Sequence, residues 1–444
     1  MTRSASTRRL SFLVAACLPL VVLGAACSPA SSTGSPTDSP APSPTVTPSA
    51  SSTPDASPEA TPSVTRAPGC TGPILDAAVC YNTSTAVAVP DGMMTVHEVG
   101  PADTPPAWST VVPLSSLQPD GTLAGARSPG AAQGYRLPFS VGVYGPDGTL
   151  APVATEGDQP VRGVVGTAYD GTHLVWKEST DVTQSAEQWW IKTVIDGTVK
   201  TLSASTDFTP DGQLPNTGTL MAIVGDSVVW AAGMIDSATP DSPGAKSVIL
   251  SAKLDGSAPA TTIADNAYYP TTDGQGNVYY VTLDDAQNPV IMKRQPDGTT
   301  TTVVARPDES QLAMVGLAAD ATHIAWLLAT STTDATGQSV YIGWIYVLDT
   351  TTQALTEVAV GSAGGGGNVL SLSHGWLGWG NGTGQGDTQE YLMNLATGAI
   401  YVLADSAGGS WVGVSYPAVA WKVPPDSTRF AYVRTFVGLL TPTS

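Results

Sequence analysis

Beyond residue 80 the chain repeats one local pattern, and that repeat constrains the fold more than any other feature. One element of it is a strand ending in an aromatic residue: Thr172-His173-Leu174-Val175-Trp176, Asp226-Ser227-Val228-Val229-Trp230, and Asn277-Val278-Tyr279-Tyr280. It returns as Thr322-His323-Ile324-Ala325-Trp326, Gly375-Trp376-Leu377-Gly378-Trp379 and Ala418-Val419-Ala420-Trp421. The other element is a pair of strands around a tight turn. Its turns are Asp147-Gly148, Asp196-Gly197, Asp255-Gly256, Asp297-Gly298, the stretch from Asp349 to Gln353, and Thr397-Gly398. Asp-Gly between alternating apolar runs is a hairpin signal, because glycine tolerates the positive φ such turns need. From Gly148 to Gly398 these turns recur at a mean spacing of 50 residues.

Each period holds about four short strands: an inner one such as Val164 to Ala168, the aromatic one, and a hairpin pair such as Trp190 to Ile195 and Val199 to Leu202. Four strands in a repeat of this length predict an all-β fold, a β-propeller. Residues 82 to 436 hold seven such periods, hence seven blades of four antiparallel strands; six blades with an N-terminal extension is the alternative. The first blade, about 82 to 157, reads as irregular, with strands at Met93 to Val99 and Val141 to Tyr144. The last blade stops after a third strand, Phe430 to Phe436, and a segment near Ala86 to Val89 is expected to complete it and latch the ring. A bulky aromatic at one register of nearly every repeat reads as a wedge between neighbouring blades. Of the adjacent Trp189 and Trp190, which point to opposite sides of one strand, one is either packed or exposed as a sugar or protein contact. With 46 Gly, 36 Pro and few strong helix formers besides Ala, a helix-rich fold is excluded.

Asp170-Gly171-Thr172-His173-Leu174-Val175-Trp176 and Leu395-Ala396-Thr397-Gly398 resemble the WD40-like, TolB-like propellers of bacterial exported proteins, over roughly residues 135 to 436. The resemblance implies the fold and says little of activity. TolB carries an additional N-terminal α/β domain where this chain has a Pro-rich stretch, so the TolB role does not transfer.

Arg3, Arg8 and Arg9 precede an apolar run from Leu10 to Ala26 that contains Pro19 and ends in small residues, the layout of a signal peptide over residues 1–26. Leu23-Gly24-Ala25-Ala26-Cys27 resembles a bacterial lipobox, although Leu23 lies four residues before Cys27 and not three. Cys27 is accordingly expected to carry an acyl lipid such as palmitate, with plain secretion as the alternative. Residues 27–69 read as a disordered linker: 28 of the 42 residues from Ser28 to Gly69 are Ser, Thr or Pro. Their ten prolines favour polyproline II, giving a reach of about 130 Å. A lipid, a stalk and a folded head at 70–444 suit an extracytoplasmic lipoprotein on the outer face of the membrane of a high-GC Gram-positive (actinobacterial) cell. In that oxidising compartment Cys70 and Cys80 are expected to form a disulfide.

The chain carries a formal charge of -19, or -22 from Cys27 onward, which argues against nucleic-acid binding. The connections between the aromatic strand and the third strand (177–188, 231–246, 281–289, 327–340, 380–389 and 422–428) are long and all leave one face. In them, or just beyond, lie Glu178, Asp181, Glu187, Asp236, Asp241, Asp284, Asp285, Asp334, Asp387, Glu390 and Asp426, opposed by Lys177, Lys246 and Lys422. Elaborated loops on a rigid scaffold are where function usually sits. These residues read either as a solvated acidic surface or as a face for a cationic small ligand, a basic envelope protein or a divalent ion. No Gly-x-Ser-x-Gly elbow is present, and His173, His323 and His374 fall beside the tight turns of the opposite face, as polar strand-start residues. The leading expectation is therefore a binding or scaffolding module with no catalytic set and no cofactor. The alternative is a metal-dependent lactonase- or lyase-like enzyme with a channel cation such as calcium.

Overall fold

The structure is a computed structural model, and the residues it describes are 67–74, 76–99, 108–110, 116–128, 139–156, 163–180, 187–209, 214, 220–236, 244–285, 288–305, 313–333, 339–362, 370–381, 389–403, 412–423 and 434–441. The leader, the lipobox with Cys27 and the linker up to residue 66 lie outside them. So do Asp181, Asp241, Asp334, Asp387 and Asp426.

The described strands form seven sheets, each with four antiparallel strands in series. Blade 1 comprises Trp108–Thr110, Leu123–Ser128, Phe139–Tyr144 and Leu150–Glu156. Blade 2 is Gly163–Tyr169, Leu174–Ser179, Trp189–Ile195 and Thr198–Ala204, and blade 3 is Met221–Val224, Ser227–Asp236, Gly244–Lys253 and Thr261–Asp265. Blade 4 is Ala267–Thr272, Val278–Leu283, Pro289–Arg294 and Thr300–Ala305. Blade 5 is Ala313–Ala319, His323–Thr333, Ser339–Asp349 and Leu355–Ser362, and blade 6 is Leu370–Ser373, Trp376–Asn381, Gln389–Asn394 and Ala399–Val402. Blade 7 takes Val412–Ser415, Ala418–Val423 and Arg434–Leu440 from the C-terminal end, and Met94–Val99 from the other end of the chain.

This last pairing corrects the sequence reading twice. Met94–Val99 belongs to blade 7, antiparallel to Arg434–Leu440, and not to blade 1. The latch expected at Ala86 to Val89 instead contributes Val87–Ala88 as an extra strand, parallel to the outer strand of blade 6. Val79–Asn82 similarly adds to the outer strand of blade 5, in parallel. The described residues of 67–99 thus run along the outer edges of blades 5, 6 and 7. The third strand of blade 7 also sits four residues later than expected, at Arg434–Leu440.

Seven apolar clusters hold the ring, one at each junction between blades. The aromatic strands supply the wedges, each turned toward the preceding blade. Trp176 packs against Ala124, Ala126 and Val141 of blade 1, and Trp230 meets Trp189 of blade 2 edge-on at 6.0 Å. Trp379 packs against Leu327 and Val347 of blade 5. Blade 1 is the exception the sequence hid: its second strand offers Leu123, and the ring that fills the junction with blade 7 is Tyr144, from its third strand. Trp176, Trp189, Trp230 and Trp326 are all buried to within 1% of full exclusion. Truncating such a side chain to Ala costs about 3–5 kcal/mol.

Candidate functional site

Strands alternate in direction within every blade, so the turns from first to second and from third to fourth strand emerge on one face of the ring. The connections from second to third strand, and from blade to blade, emerge on the other. The two faces are built from different chemistry.

On the tight-turn face, carboxylates cap the backbone. Asp120, Asp147, Asp170, Asp297, Asp320 and Asp349 each accept the N–H of a Thr two residues further on, at 2.8–2.9 Å. The Gly residues of the expected Asp-Gly and Thr-Gly turns have φ between 68° and 89°, as their conformation requires. The N–H bonds hold the Asp147 and Asp297 carboxyls below the usual range. Asp320 has a second partner: its Oδ2 accepts the N–H of Gly375 from blade 6 at 3.0 Å, which ties two blades together. Burial opposes its ionisation, but the His323 ring and three N–H donors outweigh that and hold the carboxyl far below the usual range. His323, 3.3 Å from Asp320, is raised by that hydrogen bond against the opposing effect of burial. His173 stands 3.0 Å from Asp170 in the same place in blade 2. His374 occupies the corresponding turn of blade 6 with φ 51°. All three lie at strand starts. His97 lies on the outer strand of blade 7, where burial lowers its pKa more than Asp147 raises it.

On the long-connection face the expected acidic residues separate into three groups. Asp284 and Asp285 stand at the surface in the blade 4 hairpin; Asp284 is half-buried, and its carboxylate accepts the Asn288 N–H at 2.8 Å. Asp236 ends a strand, opposite Gly244, because much of the expected loop 231–246 belongs to two ten-residue strands, Ser227–Asp236 and Gly244–Lys253. In the same way 327–340 is largely strand.

Glu178, Glu187 and Glu390 are not on a rim at all: each is at most 2% exposed. Glu390 lies in the third strand of blade 6, opposite Gly380. The other two belong to a charged interior that sequence reading missed. Strand Leu174–Ser179 is buried throughout, and alternation sends Trp176 and Glu178 to the face against blade 1, Lys177 and Ser179 to the face against blade 3. Glu178 accepts the Trp176 indole N–H at 2.8 Å and pairs with Lys192 at 2.9 Å. Glu187 accepts from Lys177 at 2.5 Å and from Ser179 at 2.6 Å. Its backbone also exchanges both hydrogen bonds with Leu214, at 2.7 and 3.0 Å. The available signal was the polar alternation Lys177, Ser179 beside Trp176, Glu178.

Cys70 and Cys80 are joined in a disulfide with Cα atoms 5.2 Å apart. With Glu357 they form the single grouping of three metal-type donors among the described residues, and both sulfurs are spent on the bond. Of the tryptophan pair, Trp189 is buried and Trp190 is half-buried. No helix among the described residues is long and apolar enough to cross a membrane.

No family model matches the chain, and no curated protein matches it. Solved structures similar to it include the N-terminal domain of Nup159, at 9% identity and TM-score 0.43, covering 82% of this chain and 100% of that one. The WD40 domain of Neurospora crassa Pan2 aligns at 8% identity and TM-score 0.42, covering 80% and 98%. A prolyl endopeptidase aligns at 9% identity and TM-score 0.46, over 74% of this chain; the chain spans 50% of the enzyme's length. At such scores these likenesses carry no argument about activity, and the propeller rests on the seven sheets themselves.

Proposed function

We propose that this chain is an exported lipoprotein whose propeller is a binding or scaffolding module, held on the outer face of the cell membrane by a lipid on Cys27. The observation that carries the binding reading is architectural: a ring closed by seven packed junctions, with its longer connections all leaving one face. Such a scaffold fixes the relative positions of the strand ends from which those connections leave. The acidic residues that reach the surface there, Asp284 and Asp285, favour a basic patch on an envelope protein or a cationic small ligand. The charged leader, apolar run, small residues and Cys27, followed by a Ser/Thr/Pro-rich stretch, support the tether.

Both parts are testable in cells. With the tether as proposed, labelled palmitate enters the wild-type protein, and Cys27→Ala moves the protein from the membrane fraction to the soluble one. Retention of Cys27→Ala in the membrane overturns it. For binding, a photo-crosslinking residue at position 285 is expected to yield a discrete adduct that weakens with salt, while one at exposed Asp196 on the opposite face yields none. Equal adducts from both positions, or none from 285, contradict the assignment.

A further inference from the structure

We propose that residues 67–99 are a strap whose hold on the ring is set by the redox state of the Cys70–Cys80 disulfide. The anchor of the strap is Glu357, on the outer strand of blade 5. Its backbone pairs in parallel register with Cys80, and its buried carboxylate accepts the N–H groups of Thr71 at 2.9 Å and Gly72 at 2.8 Å, and the Tyr346 hydroxyl at 3.2 Å. Tyr346 in turn accepts the Ile74 N–H at 3.2 Å, and the Trp344 indole N–H donates to Thr71 Oγ1 at 3.2 Å. A side chain at Gly72 would collide with Tyr346 and Glu357, so the loop sits flush on the blade. Cys70 and Ala77 enter the core between blades 4 and 5. One covalent bond therefore closes the very loop that docks.

Between the anchor and blade 7 the pairing is short: Val79 to Asn82 pair with blade 5 and Val87 and Ala88 with blade 6, both in parallel, with Tyr81 and Ala86 resting on the core between those blades and Val79 and Val87 46% and 55% exposed. The next element, Met94–Val99, is the fourth strand of blade 7, held also by Thr441 donating to Met93 O at 2.8 Å and to Gly92 O at 2.9 Å. Anchor, short edge strands and ring closure are thus consecutive in the chain.

The step is thiol–disulfide exchange with a dithiol. One thiolate attacks a sulfur of the Cys70–Cys80 bond to give a mixed disulfide, and the second thiol displaces it. The dithiol leaves as its own disulfide, two electrons having reduced the protein bond and its two protons ending on the Cys70 and Cys80 thiols. Opening a loop of this length returns chain entropy that raises local strap opening about a hundredfold. The outer edges of blades 5 and 6 and the fourth-strand place in blade 7 then become available, while blades 3 and 4 keep every strand.

Amide exchange of the full chain before and after dithiothreitol, with reduction verified by alkylation of both thiols, tests this. Residues 67–99 and 434–440 are expected to lose protection by about a hundredfold. Residues 221–305 stay unchanged, and reoxidation restores the strap. Unchanged protection of 67–99 in fully reduced protein overturns the proposal, and so does a uniform loss over all blades, which makes the bond a global staple. In oxidised protein Glu357→Gln is expected to loosen 67–82 alone; no change there contradicts the anchor.

Discussion

Blades 2 and 5 share one plan and fill it with opposite chemistry. After the wedge in blade 5 come Leu327, Leu328 and Ala329; after the wedge in blade 2 come Lys177, Glu178 and Ser179, and all six are buried. Blade 5 gains from ordinary apolar burial. Blade 2 desolvates four charged side chains and recovers the cost through two close ion pairs, Lys177–Glu187 and Lys192–Glu178, each with a further hydrogen bond to the carboxylate. Such pairs add little net stability over apolar packing but penalise any arrangement that leaves one member alone. The comparison teaches that a blade junction tolerates either filling, provided that it is complete.

The most severe break is therefore a half-broken pair. Glu187→Ala leaves the Lys177 ammonium buried and is expected to destabilise by about 3–5 kcal/mol in denaturant unfolding, whereas Lys177→Met with Glu187→Leu returns close to wild type. If the single change costs no more than the double, the charges in blade 2 are not coupled. Leu328→Ala in blade 5 is expected to cost about 2–5 kcal/mol with no dependence on salt or pH. A smaller effect separates the blades by pH. His323, raised from 6.5, stabilises fully below that value and loses its contribution as pH rises through the higher folded pKa; Asp320, lowered from 3.8, contributes above 3.8 and loses it as pH falls. The pair is thus worth most between about 4 and 6.5. His323→Asn is expected to lower Tm in that window, by less than about 1 kcal/mol equivalent, and to have little effect at pH 8. A constant Tm difference across pH removes the stabilising role assigned to the Asp320–His323 pair at the start of the second strand of blade 5.

What the sequence made legible was whatever recurs. Six aromatic strands and six turns fall at one register, so blade architecture and the wedge role of the tryptophans follow from periodicity. Blade 1 escaped because its wedge, Tyr144, moved to another strand. The strap escaped for a different reason. Val79–Asn82 and Val87–Ala88 are too short to show alternation, and their partners lie more than 270 residues away. Glu178 and Glu187 were placed on a rim because charge is normally solvent-facing; only the three-dimensional proximity of Lys192 and Lys177 explains their burial.

The central claim is a ring of seven blades closed by Met94–Val99 on Arg434–Leu440, and paired cysteines test it directly. Thr95 lies opposite Leu439, at a separation that antiparallel pairing makes suitable for a disulfide. Thr95→Cys with Leu439→Cys is predicted to oxidise to an intramolecular bond in the folded protein, while Val87→Cys with Leu439→Cys remains reduced. The reverse result, a bond from position 87 and none from 95, contradicts this closure.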